Sequence, residues 1–124
     1  MSAFDERVAL LRRAYKAFNR RDIGTALSML DPEVDWPNVL EGTVIHGHRA
    51  VSEYWERQFQ LISSQVEPTA FIEHGDLVIV DVHQVVYDLQ TDQTRDQQVA
   101  HTYTFRGDLV VRLQLYATVE EARK

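Results

Sequence analysis

Apolar residues change their spacing part-way along the chain. Up to about residue 63 they recur every three or four positions, and beyond Pro68 they alternate. Phe4, Val8, Leu11, Tyr15 and Phe18 fall on one face of a helix predicted over residues 3–20, while Arg7, Arg12, Arg13, Lys16 and Arg20 lie mostly off that stripe. The stretch Asn19 to Asp22 breaks the pattern. Asp22 suits the N-cap of a second short helix carrying Ile23, Ala26, Leu27 and Leu30. Pro32 ends it, because a proline ring disfavours helix at the preceding residue. Val34 to Trp36 reads as a short strand, and Pro37 to Gly47 as irregular. A third helix is predicted from about His48 to Ser63, with Val51, Trp55, Phe59 and Ile62 on one stripe and Tyr54, Gln58 and Leu61 beside it.

Four strands follow: Thr69 to His74, Leu77 to Leu89, Gln97 to Arg106 and Leu109 to Ala117. Gly75-Asp76 and Gly107-Asp108 are turn signals, and Thr91 to Thr94 is the tip of a long hairpin. The fold class is therefore α+β: an antiparallel sheet closed on one face by N-terminal helices. The chain forms one domain over residues 1–124, with its core at about 5–117. The charged tail, Glu120 to Lys124, is expected to fray.

A turn within Thr91–Thr94 sets Gln84 opposite His101, Val82 opposite Tyr103 and Val80 opposite Phe105. One sheet face then holds Val80, Val82, Gln84, Val86, Val99, His101, Tyr103 and Phe105 and meets the helices. The other holds Asp81, His83, Val85 and Tyr87. Gln84 and His101 are polar groups on an apolar face. They either satisfy each other as a buried hydrogen bond or form the polar part of a cavity wall. A slip of one residue would exchange Gln84 for His83.

Composition narrows the function classes. The sequence has 124 residues, a net charge of −6 and no cysteine. Disulfides, thiolate catalysis and cysteine-bound zinc are excluded. No basic face is available for a phosphate backbone, so nucleic acid is not an expected partner. No apolar run is long enough to span a membrane, and the N-terminus lacks a secretory layout. The expected location is cytoplasmic. His46 and His48 flank Gly47, but no third ligand stands at a recognised spacing, so no metal is assigned. Asp31, Glu33 and Asp35 read as a solvated acidic run, and Asp81 with His83 as a possible outer-face pair. No phosphate loop, nucleophile elbow or dinucleotide fingerprint is present.

Several segments, taken together and in order, resemble a known group. They are Tyr15-Lys-Ala-Phe-Asn-Arg-Arg-Asp22, Ala26-Leu27-Ser-Met-Leu30-Asp-Pro-Glu-Val-Asp-Trp36, Gly47-His-Arg-Ala-Val51-Ser-Glu-Tyr-Trp55 and Phe105-Arg-Gly-Asp-Leu-Val110. The chain resembles the SnoaL-like families of the nuclear transport factor 2-like superfamily, which also contains ketosteroid isomerases. The resemblance implies a cone-shaped α+β barrel, its curved sheet wrapped around three N-terminal helices. It also implies a pocket between sheet and helices and usually a homodimer, expected here through the outer sheet face. It places Trp36, Asn38, Tyr54 and Tyr116 near the cavity.

The isomerases use a carboxylate base with a tyrosine and a protonated acid as oxyanion donors. By resemblance the base position falls at Asn38, which cannot abstract a proton. The tyrosine position falls near Ala14, with Tyr15 about 100° further around the helix. The acid-donor position falls at His101. The epoxide-hydrolase branch uses an Asp-Arg-Asp arrangement, and Arg112 is the strand arginine considered for the cavity.

Two functions follow as expectations. The first is a cofactor-independent isomerase, cyclase, dehydratase or hydrolase acting by proton transfer on a small apolar, oxygen-bearing molecule. His101 and Asn38 would be its catalytic residues, and Trp36, Tyr54, Gln58, Gln84, Tyr103 and Tyr116 its ligand-binding residues. The second is a non-catalytic ligand-binding or interaction domain, with Val85, Tyr87, Val111 and Leu113 among its outer-face contacts.

Overall fold

The computed structural model describes residues 2–124. The chain runs α1 (Ala3–Asn19), α2 (Ile23–Ser28), β1 (Leu30–Asn38), β2 (Thr43–His46), α3 (His48–Leu61), β3 (Ile62–His74), β4 (Leu77–Asp88), β5 (Thr94–Arg106), β6 (Leu109–Tyr116) and α4 (Val119–Ala122). Six strands form one open sheet in the order β2-β1-β6-β5-β4-β3. All neighbours are antiparallel except β1 and β6, which run parallel. That parallel pair is the one departure from the expected antiparallel sheet. It arises because β1 precedes the meander and joins its far edge.

Local chemistry fixes the helix ends. The Ser2 side chain accepts from the Asp5 N–H and starts α1. The Asp22 carboxylate accepts from the Thr25 N–H and starts α2, as predicted. Gly47 precedes α3 at φ 87°, a region that strains any residue with a Cβ. The core joins Leu11, Tyr15, Val51, Tyr54 and Trp55 of the helices to Val78, Val80, Val82, Tyr103, Val110 and Leu113 of the sheet.

Two extra residues bend the sheet over the helices. One β-bulge lies on β3, where Thr69 is extra between Pro68 and Ala70; the other lies on β6, where Val111 is extra opposite Thr104 and Phe105. Pro68 is tolerated because β3 is an edge strand. Asn19, the last residue of α1, meets that edge. Its amide nitrogen donates to the Val66 carbonyl at 2.8 Å, and its amide oxygen accepts from the Val66 N–H at 2.9 Å.

Four local expectations are corrected. The segment from Pro37 to Gly47 contains β2, paired with β1 through Asp35–His46 and Asn38–Thr43. Its short run and two glycines hid the strand. β3 begins at Ile62, directly where α3 ends, and alternation is already present there in buried Ser64 and Val66. The β4–β5 register is displaced: Val82 opposes Val99 rather than Tyr103, and Gln84 opposes Gln97 rather than His101. The displacement is even, so every side chain keeps its face. The tail does not fray as expected. α4 lays Ala122 against Ile79 and Ala100 on the outer sheet face, with Val119, Ile72 and Tyr116 around them.

Candidate active site

Between the helices and the concave sheet face lies a cavity of about 320 Å³, a size typical of small-molecule sites. α1 supplies Leu11, Ala14, Tyr15 and Phe18, a single helical face. α3 supplies Tyr54, Trp55 and Gln58, and β5 supplies Arg95, Gln97, Val99, His101 and Tyr103 at alternate positions. Trp36 packs edge-on against Trp55, centroids 5.3 Å apart. Among the described residues no Asp or Glu lines the cavity, and Arg95 is the one charged residue that does.

The buried end carries a three-residue relay. The Tyr103 hydroxyl donates to the Tyr15 hydroxyl at 2.8 Å. Tyr15 then has its own proton for His101 Nδ1, also at 2.8 Å. The Tyr15 and His101 rings lie nearly parallel, 13° apart, with centroids separated by 5.9 Å. Burial lowers the His101 pKa to about 4, so the imidazole is neutral at pH 7. Burial also raises both tyrosines, with the neighbouring Tyr103 adding to the effect on Tyr15. All three groups are thus held neutral. With Nδ1 accepting, the remaining proton sits on Nε2. Among the described residues Nε2 has no protein hydrogen-bond partner. His101 lines the cavity, so the relay ends on a residue of its wall.

A second polar group lies nearer the surface. Gln97 Nε2 donates to Gln84 Oε1 at 3.2 Å, and Gln84 Nε2 reaches Ser64 Oγ at 3.4 Å. On the opposite wall the Tyr54 hydroxyl accepts from the Val39 N–H at 3.2 Å and from Gln58 Nε2 at 3.4 Å. Both bonds are received, so the Tyr54 proton is uncommitted.

The structure brings His101, Trp36, Tyr54, Gln58, Gln84 and Tyr103 to one cavity. It does not bring Asn38 there. Asn38 is buried, but its side-chain oxygen accepts from the Glu41 N–H at 3.0 Å and closes the β1–β2 turn. Tyr116 touches the cavity rim, yet it pairs with Ala100 and packs into the outer-face cluster with Ile79. Leu113, expected outside, opposes Tyr103 and lines the cavity. Arg112, considered for the cavity, instead approaches Asp35 at 3.6 Å.

The other titratable clusters are structural. Asp31 is buried and receives two bonds from Arg106, at 2.6 and 3.1 Å. His46 bridges Asp35 and Glu33 at 2.9 and 2.8 Å. The acidic run is therefore paired, with Asp31 buried and Glu33 still exposed to solvent. His48 engages the Leu30 carbonyl at 2.8 Å, and His83 pairs with Asp96 at 2.6 Å, not with Asp81.

A family model described as the SnoaL-like domain matches residues 11–113. The chain belongs to the SnoaL-like domain family. No curated protein matches its sequence. Solved structures share the fold. An NTF2-like protein of Burkholderia pseudomallei superposes with a TM-score of 0.83 at 24% identity, covering 98% of this chain and 95% of that one. TerC, co-crystallised with polyporic acid, gives 0.81 at 24% identity, covering 94% and 95%. A Mycobacterium tuberculosis epoxide hydrolase of the LEH-like type gives 0.76 at 15% identity, covering 94% and 85%. In this SnoaL-like domain the residue that sequence reasoning left aside is Tyr15. Its signal was present: it is the one member of the α1 apolar stripe with a polar tip, and a buried tyrosine hydroxyl needs a partner.

Proposed function

We propose that this SnoaL-like domain is a cofactor-independent enzyme that activates the carbonyl group of a small apolar molecule, as enolisation or ring closure requires. One observation carries the reading: a relay of two buried tyrosines ends on a neutral imidazole in the wall of an apolar cavity, its Nε2 without a protein partner among the described residues. A neutral imidazole donates to a carbonyl oxygen and stabilises the negative charge that grows there, while the proton on the neighbouring carbon passes to a water or hydroxide entering from the open mouth, since no carboxylate among the described lining residues can take it. Low surrounding polarity strengthens that bond. Tyr15 holds the tautomer, and Tyr103 holds Tyr15. Trp36, Tyr54 and Gln58 shape the wall against which the substrate lies.

Deuterium exchange at the carbon beside the carbonyl of 2-tetralone tests this. Wild-type protein should accelerate exchange in D₂O, His101→Phe should abolish the acceleration, and Tyr15→Phe should reduce it. Wild-type protein exchanging no faster than His101→Phe would sink the catalytic reading.

The absence of a carboxylate from the cavity wall favours a second reading, a non-catalytic binding domain. It predicts thermal stabilisation by 2-tetralone without exchange. No helix among the described residues is long and apolar enough to cross a membrane. We further propose cytoplasmic residence and a homodimer through the outer sheet face beside α4, around Val85 and Tyr87. Light scattering tests the dimer.

A further inference from the structure

β5 carries the inner and outer polar groups of the cavity on one line. Arg95, Gln97, Val99, His101 and Tyr103 alternate along it and all face the helices. Arg95 opposes Val86, which is buried, so its side chain starts from the concave face although its end reaches solvent. Among the described residues the Arg95 guanidinium makes no ion pair or hydrogen bond. Asp88 is the acid whose charge it feels, but Asp88 Oδ1 is already engaged by the Gln90 and Thr91 N–H groups at 2.8 and 3.2 Å. Beside Arg95, Gln97 spends one amide proton on Gln84 and keeps the other. Among the described residues the lining contains no carboxylate to compete for either group.

We infer that the cavity mouth is an anion subsite, and that the ligand is an apolar molecule with two oxygen functions. A neutral carbonyl meets His101 at the buried end, and an acidic oxygen (carboxylate, or ionised enol or phenol) meets Arg95 and Gln97 at the mouth. This rests on the proposed role of His101 for the inner end only. The strand sets the length. Arg95 and His101 are six residues apart, about 20 Å between Cα atoms in an extended strand, and the arginine side chain spans part of that gap. A body of two linked rings bridges the remainder, and the aromatic wall of Trp36 and Trp55 suits it. Arginine fits the outer role because its planar fork matches a carboxylate in two bonds.

Three probes separate the two ends: 4′-acetylbiphenyl-4-carboxylate, its 4-carboxamide, and biphenyl-4-carboxylate without the acetyl group. Both tryptophans of the chain line the cavity, so their emission reports binding. Wild-type protein should bind the acetyl carboxylate about tenfold more tightly than the carboxamide, the scale of one charge-assisted contact. Arg95→Gln, a change at an exposed position, should keep the melting temperature and bring that ratio to about one. Equal affinities in the wild type, a ratio unchanged in Arg95→Gln, or no binding of any probe would each overturn the subsite. The acetyl contrast reads the other end. If removing the acetyl group costs nothing while the carboxylate preference persists, the His101 role fails and the Arg95 subsite stands.

Discussion

Tyr15 on α1 and His101 on β5 are 86 positions apart in sequence, yet their polar atoms meet at 2.8 Å inside the core. This bond ties the first helix to the central strand and fixes which imidazole nitrogen faces the cavity. Tyr15→Phe keeps the ring but strands the Tyr103 proton and His101 Nδ1 in a dry site. An unpaired buried polar group costs about 1–3 kcal/mol. Chemical denaturation should show a loss of that size, and carbonyl probes should bind more weakly.

Acid should weaken the fold through His101. The unfolded chain protonates this residue at its ordinary value of 6.5, whereas the folded protein resists until about 4. Between these values the unfolded state holds more protons, so stability falls as pH falls, by a total on the order of 3 kcal/mol. Denaturation midpoints measured from pH 7 to pH 4 should slope accordingly in the wild type, and His101→Phe should flatten the slope. Asp31 acts lower. Its bonds from Arg106 hold the carboxyl below 3.8, so its contribution disappears only under stronger acid.

His46 has the opposite sign. Hydrogen bonds that it donates to Asp35 and Glu33 raise its pKa above 6.5. Its contribution is complete below 6.5 and is lost as pH rises through the raised value. Proton NMR should place the His46 midpoint above 6.5. Amide protection in β2 should decline across that midpoint in the wild type but not in His46→Gln.

The tail offers a test of packing. Ala122 is 7% exposed and rests on Ile79 and Ala100. Ala122→Asp forces a carboxylate into that contact and should cost about 1–3 kcal/mol. An unchanged denaturation midpoint would show that α4 does not dock in solution.

The residues show where sequence reasoning carries and where it stops. Periodicity located α1, α2, α3 and the β3–β6 meander, because amphipathic spacing is a local property. The faces assigned to Val80 through Tyr87 on β4 and to Val99, His101, Tyr103 and Phe105 on β5 also hold, since alternation survives an even shift of register. The register itself was not, because the turn sits at Leu89 to Gln93, where Asp88 and Asp92 shape it through backbone bonds. Family resemblance drew attention to position 38, yet Asn38 caps a turn. Only tertiary structure could show that the hydroxyl of Tyr15, one of five tyrosines in the chain, lies against His101.

The clamp between Asn19 and Val66 has a meaning for life at high protein concentration. An open sheet leaves β3 with unpaired backbone groups, and such a border invites a strand from another molecule. Asn19 occupies both groups of Val66. The next outward position along the strand belongs to Pro68, which has no N–H to offer. A stranger's strand therefore finds no continuous ladder to join. One amide side chain, placed where a helix happens to end, takes the place of a missing neighbour at Val66 on the β3 border.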